Sequence, residues 1–230
     1  MPDSIDEQVL QRALMHFGSV SGKTVIDLGC GRGAASLFFA SYGANVISID
    51  LSQVAINNLS VYCKDNDIRN IIPISMPAQE IEKTGKADFI FGSMILHHIE
   101  PLDEFTNSLR GVLKQEGKGF FWENNACNKM LIWFRQNLVG KLWVPKYGDP
   151  DEFPLTPIEV IEIKKHFNVT IEYPELHLFR LIGLYLLRRH FMNFFMMLDN
   201  YFYKYPAIRK YSYRQYLLLE SKREQLVSSV

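Results

Sequence analysis

Short apolar runs alternate with longer stretches of helical period along the first half of the chain. The runs are too short to be helices, and their near-continuous apolar character is typical of strands buried in a parallel sheet. The predicted strands lie at 24–28, 45–49, 71–74, 87–92 and 119–122, and the predicted helices at 33–42, 52–65 and 102–113. Strands separated by helices in this order predict a parallel, doubly wound α/β sheet with right-handed crossovers.

The second half of the chain is less regular. A helix is predicted at 157–167, a strand at 169–173 and a last strand at 215–220. Two long stretches, 126–156 and 174–212, combine helical and irregular character. Because 230 residues can bury the core of one domain of ordinary size, we expect a single domain over 1–230 that carries these two stretches as insertions.

The overall composition excludes several classes of protein. Hydrophobic residues make up 47% of the chain and Gly and Pro number only 14 and 10, which excludes a disordered chain or a low-complexity repeat. Lys plus Arg and Asp plus Glu are 25 each, and a chain of zero net charge is not expected to bind nucleic acid. Three scattered cysteines, Cys30, Cys63 and Cys127, argue against a disulfide framework and a zinc site, so no metal is predicted.

Neither a secretory signal nor a membrane span is predicted. The first residues are acidic rather than basic, which does not fit a signal peptide. The most apolar stretch, 178–198, is interrupted by arginines and His190, whereas a span needs about 18 consecutive apolar residues. We therefore expect a cytoplasmic protein.

The segment 177–219 differs from the rest of the chain in charge and in aromatic content. It holds seven Lys or Arg residues against one acid, Asp199, and 12 of the 30 aromatic residues. A stretch this apolar needs a partner: it packs on the domain, forms a dimer interface or faces a membrane. The amphipathic pattern of 181–189 would let arginines meet anionic head groups, so we hypothesise peripheral contact with a membrane surface. The oligomeric state stays open.

A glycine-rich loop follows the first predicted strand. Gly29, Gly31 and Gly33 occupy alternate positions, which lets the backbone turn sharply and approach a ligand closely. The spacing is not that of a dinucleotide fingerprint, whose third glycine would fall at Ala34, and the Gly-Lys-Ser/Thr of a phosphate-binding loop is absent. Asp50 ends the second strand, where a carboxylate can accept hydrogen bonds from both hydroxyls of a ribose.

These features together carry a resemblance to a known family. The first motif reads Val25-Ile26-Asp27-Leu28-Gly29-Cys30-Gly31-Arg32-Gly33. With Asp50 and the segments 87–93, 96–99 and 113–118, it resembles class I S-adenosylmethionine-dependent methyltransferases over about 17–124. The resemblance implies a Rossmann-like, seven-stranded sheet with an antiparallel last strand and helical caps over the active site. It also implies S-adenosylmethionine (SAM) as the cofactor and methyl transfer as the activity.

The resemblance also implies which residues bind the cofactor. The glycine loop would cradle the methionine part of SAM and Asp50 would hold its ribose. The predicted cofactor-binding residues are Asp27, Gly29, Cys30, Gly31, Gly33, Asp50, Leu51, Ala78, Gln79 and Ser93. One position departs from the family: Pro77 stands where an acidic residue often contacts the adenine amine, and a proline side chain cannot accept that hydrogen bond. Gln79 or the backbone would then replace it.

Methyl transfer needs alignment, and it needs a base when the acceptor carries a proton. His97 and His98 follow the fourth strand and Glu123 ends the fifth, so these three are the candidate catalytic residues. The ordinary pKa of histidine, near 6.5, suits proton removal at neutral pH. Because the aromatic insertions would roof the site, we predict transfer to an oxygen or nitrogen of a hydrophobic, aromatic or lipid-linked small molecule. A cofactor-binding protein without catalysis and a methyltransferase acting on protein or nucleic acid are the alternatives.

Overall fold

A twisted seven-stranded sheet organises the computed structural model, which describes residues 7–139, 153–185, 187 and 189–222. The strand order is β3-β2-β1-β4-β5-β7-β6, and β7 runs antiparallel to both of its neighbours. The strands are β1 (Thr24–Leu28), β2 (Asn45–Asp50), β3 (Ile71–Ser75), β4 (Ala87–Ser93), β5 (Leu113–Asn124), β6 (Phe167–Glu172) and β7 (Arg214–Ser221). The predicted fold class, including its antiparallel last strand, is confirmed.

Helices pack on both faces of the sheet. They are α1 (Glu7–Phe17), α2 (Ala34–Ser41), α3 (Gln53–Asp65), α4 (Leu102–Val112), α5 (Lys129–Asn137), α6 (Pro157–His166), α7 (Phe179–Tyr185), α8 (Met192–Tyr203) and α9 (Pro206–Arg209). Two 3-10 segments, Ala78–Thr84 and Leu96–His98, follow β3 and β4. Successive strand residues point to opposite faces, so Val25 joins the apolar cluster under α1, α2 and α3 while Ile26 joins the one under α4 and α6.

Local signals in the sequence account for several helix ends. The Ser52 hydroxyl accepts a hydrogen bond from the backbone N–H of Ala55, so Ser52 is the N-cap of α3. α6 begins with a capping box: Thr156 accepts from the N–H of Glu159, and the Glu159 carboxylate accepts from the N–H of Thr156. Pro157 occupies the first turn, where its missing N–H costs nothing.

Two sequence predictions need correction. The sequence predicts a turn at 114–117, since Gly117 follows charged residues there, but these residues lie within β5. The pairing with β4 jumps from Ala87–Leu113 to Phe89–Lys118, and the residues between form a bulge. α1 was not predicted at all. It packs against β5, and its Arg12 makes a bidentate ion pair with Glu172 of β6, with an Nε–Oε2 distance of 2.7 Å.

The two insertions leave the sheet at one edge. The first follows the carboxyl end of β5 and contains α5, and the second links β6 to β7 and contains α7, α8 and α9. In the second, the buried carboxylate of Asp199 accepts hydrogen bonds from the N–H groups of Leu178, Phe179 and Arg180 and thereby ties the start of α7 to α8. Residues 140–152, 186 and 188 of the predicted insertions lie outside the described residues.

Candidate active site

The carboxyl ends of the parallel strands bring most of the predicted site residues to one edge of the sheet. The glycine loop follows β1, Asp50 ends β2, Ser93 ends β4, and the 3-10 segment Leu96–His98 follows directly. Glu123 lies one residue before the end of β5. Parallel strands place their carboxyl ends together, so residues far apart in the sequence surround one crevice.

The glycine loop and Asp50 are joined by a hydrogen bond. The N–H of Gly31 donates to Asp50 Oδ2 over 2.8 Å, and the N–H of Ser52 donates to Oδ1 over 2.8 Å. A carboxylate offers about four lone-pair directions, so acceptor capacity remains on both oxygens for ribose hydroxyls. Gly31 has φ +51°, and a Cβ at this position would meet no described atom within 4 Å. The loop therefore borders open space beside a hydrogen-bonding carboxylate, which fits a bound nucleoside.

Asp27 lies beneath this loop rather than on its surface. Its side chain is buried, and Ser36 Oγ donates to its Oδ2 over 2.5 Å while also bonding Ser48 Oγ at 2.7 Å. Burial raises the pKa of Asp27 to about 6, against the opposing effect of the hydrogen bonds from Ser36. The structure places this residue where it anchors the start of α2, so any effect on the cofactor would pass through the loop.

The raised pKa of Asp27 predicts a pH-dependent stability. The folded chain holds this proton to a higher pH than the unfolded chain, so ionising Asp27 costs folding free energy. The cost is absent below about pH 4 and reaches about 3 kcal/mol above pH 7. Relative to Asp27→Asn, the wild type should therefore lose unfolding free energy as the pH rises through this window, as measured by urea unfolding at several pH values.

Asp88→Asn serves as the matched control for this titration. Burial alone would raise the pKa of Asp88, but hydrogen bonds from the Lys114 ammonium and the Thr24 N–H outweigh it and lower the pKa. Its carboxylate stabilises the fold once ionised, so this variant should stay less stable than the wild type across the window. A constant difference between the wild type and Asp27→Asn from pH 4 to pH 7 would contradict the assignment for Asp27.

The other predicted cofactor residues differ in what they present to the crevice. Leu51 is 76% exposed beside Asp50 and offers an apolar surface. Gln79 donates its side-chain N–H to the carbonyl of Glu100 over 2.9 Å, while Ala78 packs on the apolar cluster under α4. The Cys30 side chain is buried, and burial, together with the charges of nearby carboxylates, raises the pKa of its thiol. Cys30 is therefore not a reactive thiol.

A buried pair, Glu123 and His97, connects β5 to the segment after β4. The fully buried Glu123 carboxylate accepts from the N–H groups of Ile95 and Leu96 at 2.9 and 2.7 Å, and it lies 2.7 Å from His97 Nδ1. Because a carboxylate only accepts, the single proton of a neutral His97 ring lies on Nδ1, and Nε2 then keeps a lone pair. The side chain of His97 is 2% exposed, and its buried Nε2 has no hydrogen-bond partner among the described residues.

His98 differs from His97 in its surroundings. It is exposed at the same edge, and its ring centroid lies 4.1 Å from that of His97. The sequence predicts both histidines and Glu123 as candidate catalytic residues, but nothing in it indicates that His97 and Glu123 form a hydrogen bond. The structure therefore distinguishes a histidine held by a carboxylate from a neighbour that faces solvent.

An apolar cavity of about 240 Å³ lies between α5 and α7 in the inserted helices. All seven residues that line it are apolar, among them Trp133, Phe134, Leu178 and Ile182. A larger cleft of about 660 Å³, with Lys23 in its wall, lies where β1 and β4 begin, at the opposite edge from the glycine loop. Only the first of these cavities belongs to the helices that leave the sheet on the side of the glycine loop.

Comparison with known proteins agrees with this geometry. A family model described as a methyltransferase domain matches residues 25–117. A ubiquinone biosynthesis O-methyltransferase of Rickettsia typhi is 25% identical over 169 residues, covering 72% of this chain and 68% of that protein. One from Acinetobacter baylyi is 27% identical over 119 residues, covering 51% and 50% of the two chains.

Solved structures show the same fold. A SAM-dependent methyltransferase from Aquifex aeolicus aligns with a TM-score of 0.58 at 15% identity, covering 93% of this chain and 89% of that one. The geranyl diphosphate C-methyltransferase of Streptomyces coelicolor, solved with S-adenosylhomocysteine, aligns with a TM-score of 0.61 at 13% identity, covering 95% and 80%. Residues 25–117 therefore form a methyltransferase domain, and the chain has the fold of the class I SAM-dependent methyltransferases.

The methyltransferase domain uses SAM as its cofactor. The family match extends from β1 into the bulge of β5 and includes the glycine loop, Asp50 and both histidines. It ends before Glu123 and the inserted helices, which are the parts that would determine the acceptor. In the described ranges, no helix is both long and apolar enough to cross a membrane.

Proposed function

We propose that this methyltransferase transfers the methyl group of SAM to a hydroxyl oxygen of a hydrophobic, lipid-linked small molecule. The observation that carries the proposal is the buried His97, held by Glu123 through Nδ1 and without a hydrogen-bond partner at Nε2 among the described residues. Such an imidazole is oriented to take a proton, and an alcohol or phenol must lose one during methylation. A neutral amine could attack before losing a proton, so it has less need of this arrangement.

The names of the relatives support the oxygen acceptor. Those from Rickettsia typhi and Acinetobacter baylyi are named for O-methylation in ubiquinone biosynthesis. Extending that acceptor class to this chain is part of the proposal. The all-apolar cavity between α5 and α7 supports it independently, because such a cavity suits the apolar body of an acceptor.

Six of the predicted cofactor residues receive a role in the proposal. When bound, SAM supplies a methyl group on a positively charged sulfur, which is a good leaving group. Asp50 accepts hydrogen bonds from the ribose hydroxyls, Leu51 packs against the adenine, and the loop at Gly31 leaves room for the methionine part of SAM. Gln79 and Ser93 border the same crevice, while Asp27 acts by fixing the loop.

The chain's own groups then carry the proton. His97 Nε2 accepts it from the acceptor hydroxyl while the oxygen bonds to the methyl carbon. Glu123, already fixed by two backbone N–H groups, holds the ring through Nδ1 and stabilises the imidazolium that forms. The described helices of the two insertions, α5 and α7 to α9, act as a cap that excludes water and holds the apolar part of the acceptor.

The acceptor class is tested by following a labelled methyl group. The full chain is incubated with methyl-tritiated SAM and a cell extract, and the extract is then separated into an organic phase, an aqueous phase and precipitated macromolecules. Label in the organic phase that depends on the protein supports the proposal. Label in protein or nucleic acid instead would favour a macromolecular acceptor, and no transfer would favour a cofactor-binding protein without catalysis.

Peripheral membrane contact is the second part of the proposal. On α8, Phe194 and Met197 are 52% and 57% exposed, and basic residues such as Lys204 lie nearby in the sequence. Apolar side chains flanked by cations suit a surface of anionic lipids. We expect the protein to float with vesicles containing anionic lipid more than with neutral ones. The double variant Phe194→Ser with Met197→Ser should weaken vesicle binding by roughly 1 kcal/mol for each side chain, which is about 30-fold for the pair.

The control for flotation uses apolar residues on another side of the molecule. Val54 and Val61 of α3 are 69% and 57% exposed, so replacing both by serine removes similar apolar surface away from the cap. This pair should leave flotation unchanged. Equal effects of both pairs, or no flotation of the wild type, would exclude the cap as a membrane-contacting surface.

A further inference from the structure

Arg214 stands at the edge of the sheet where the acceptor is proposed to bind. It is the first residue of β7 and pairs across the strands with Asn124, the last residue of β5. Because β7 is antiparallel, its first residue lies at the edge where the parallel strands end. Its Nη1 lies 3.1 Å from the sulfur of Met94, which follows directly after β4.

The guanidinium of Arg214 lies near two aromatic rings, and its hydrogen bond to a described residue is to a sulfur. Its central carbon lies 4.8 Å from the ring centroid of Trp122 and 5.5 Å from that of Tyr213. A thioether sulfur is a weak hydrogen-bond acceptor. Among the described residues, none places a carboxylate within 4.0 Å of this partly buried side chain.

A nearby arginine provides the contrast. Arg180, in the same cap, is bound by two acids, with its Nε 3.1 Å from Asp199 and its Nη2 2.6 Å from Glu175. The positive charge of Arg214 affects a neighbouring side chain, His177. Burial is the largest cause that lowers the pKa of His177, and the charges of Arg180 and Arg214 lower it further, against the opposing effect of Glu175. Arg214 therefore adds positive potential to this region without an acid of its own.

We propose that Arg214 binds a carboxylate of the acceptor. Aromatic rings near a guanidinium do not use up its N–H groups, and a planar carboxylate can accept two parallel hydrogen bonds from them. This inference rests on the proposed function. It narrows the acceptor class to amphiphilic acids, whose apolar body occupies the cap while the carboxylate meets Arg214.

The methionine carboxylate of the cofactor is a second source of the same chemistry. In the strand order, β7 lies three steps from β1, through β4 and β5. At a spacing of about 4.8 Å a step, the backbone of Arg214 lies about 14 Å from β1, although its side chain reaches Met94 after β4. Measuring the affinity for S-adenosylhomocysteine beside that for the acceptor probe distinguishes the two sources.

The test compares two probes of the same shape that differ in charge. Calorimetry measures the binding of 4-octylbenzoate and of the neutral 4-octylbenzamide to the full chain saturated with S-adenosylhomocysteine. The wild type should bind the benzoate at least about 10-fold more tightly than the benzamide. Arg214→Met should lose this preference. Arg214→Lys should keep part of the preference, because lysine keeps the positive charge but cannot donate two parallel hydrogen bonds as a guanidinium does.

A control separates the carboxylate site from a general effect of arginine. Arg209, which also lies over an aromatic ring, Tyr203, at 4.7 Å, is replaced by methionine and should leave the preference intact. Weaker binding of S-adenosylhomocysteine by Arg214→Met would assign the carboxylate to the cofactor and overturn the proposal. Failure of the wild type to bind the benzoate, or equal affinity for both probes, would also overturn it.

The outcomes also separate this inference from the proposed function. Probe binding needs no methyl transfer, so a charge preference that depends on Arg214 would stand even if no oxygen is methylated. Conversely, transfer to a neutral hydroxylated acceptor, with no charge preference in binding, would support the proposed function and reject the role of Arg214.

Discussion

Replacing His97 by glutamine is expected to lower kcat by about 100-fold or more while leaving the affinity for S-adenosylhomocysteine unchanged. The glutamine amide can still donate a hydrogen bond to Glu123, but it cannot accept the proton that the acceptor hydroxyl must lose. Because the carboxylate of Glu123 also binds the N–H groups of Ile95 and Leu96, the backbone of this segment should stay in place. The measurement is single-turnover transfer of labelled methyl, with calorimetry for the product complex.

Two further variants make this result specific to His97. His98 is exposed, so His98→Gln should change kcat by no more than about threefold, as for a surface substitution without a partner. Glu123→Gln keeps an acceptor for the backbone but loses the charge that stabilises an imidazolium, and we expect a loss of roughly 10-fold or more. Full activity of His97→Gln would show that the pair only supports the segment after β4.

Gly31→Val should abolish detectable binding of S-adenosylhomocysteine. The space beside Gly31 contains no described atom within 4 Å, so the new side chain would occupy the volume assigned to the cofactor. The substitution also strains the backbone, because φ is +51° and a β-branched residue rarely adopts positive φ. Loss of binding therefore needs a control at another glycine whose φ is positive.

Gly85→Val provides that control. Gly85 has φ +83° and equally open surroundings, but it lies just before β4, at the opposite edge of the sheet. The Gly85→Val variant should have a lower melting temperature and an unchanged affinity for S-adenosylhomocysteine.

Asp50→Ala should weaken the binding of S-adenosylhomocysteine by about 10-fold to 100-fold for each ribose hydrogen bond lost to a charged group. Unchanged affinity in both Gly31→Val and Asp50→Ala would remove the cofactor from this crevice.

The sheet was predictable because its strands are marked locally. Apolar runs that end in Gly, Asp or Ser place β1, β2 and β4 within one residue of their observed ends, and Ser52 marks the start of α3 by its own side chain. A glycine next to charged residues occurs both in turns and in bulges, so the residues at 114–117 predict a turn where the structure has a bulge. α1 carries a helical pattern in Leu10, Ala13 and Phe17, which a search for that period would have found.

The sequence predicts which residues form the site, but it does not predict which of them contact one another. His97 and Glu123 are 26 residues apart, and their hydrogen bond depends on β5 lying next to β4, which the sequence alone does not state. Asp27 was assigned to the cofactor because the motif includes it. Its burial beneath the loop follows from the side-chain alternation along β1 and from Ser36 at the start of α2. Arg214 gave no signal, because its significance lies in the absence of a nearby acid among the described residues.

The proposed reaction is tested most directly by identifying the atom that receives the methyl group. The full chain is incubated with SAM carrying a carbon-13 methyl group and an organic extract of cells, and the labelled product is isolated and examined by NMR and mass spectrometry. We predict a methyl group bound to oxygen, on an apolar molecule, with product formation lost in His97→Gln. A methyl group bound to nitrogen or carbon, or an equal yield from His97→Gln, would contradict the proposed reaction.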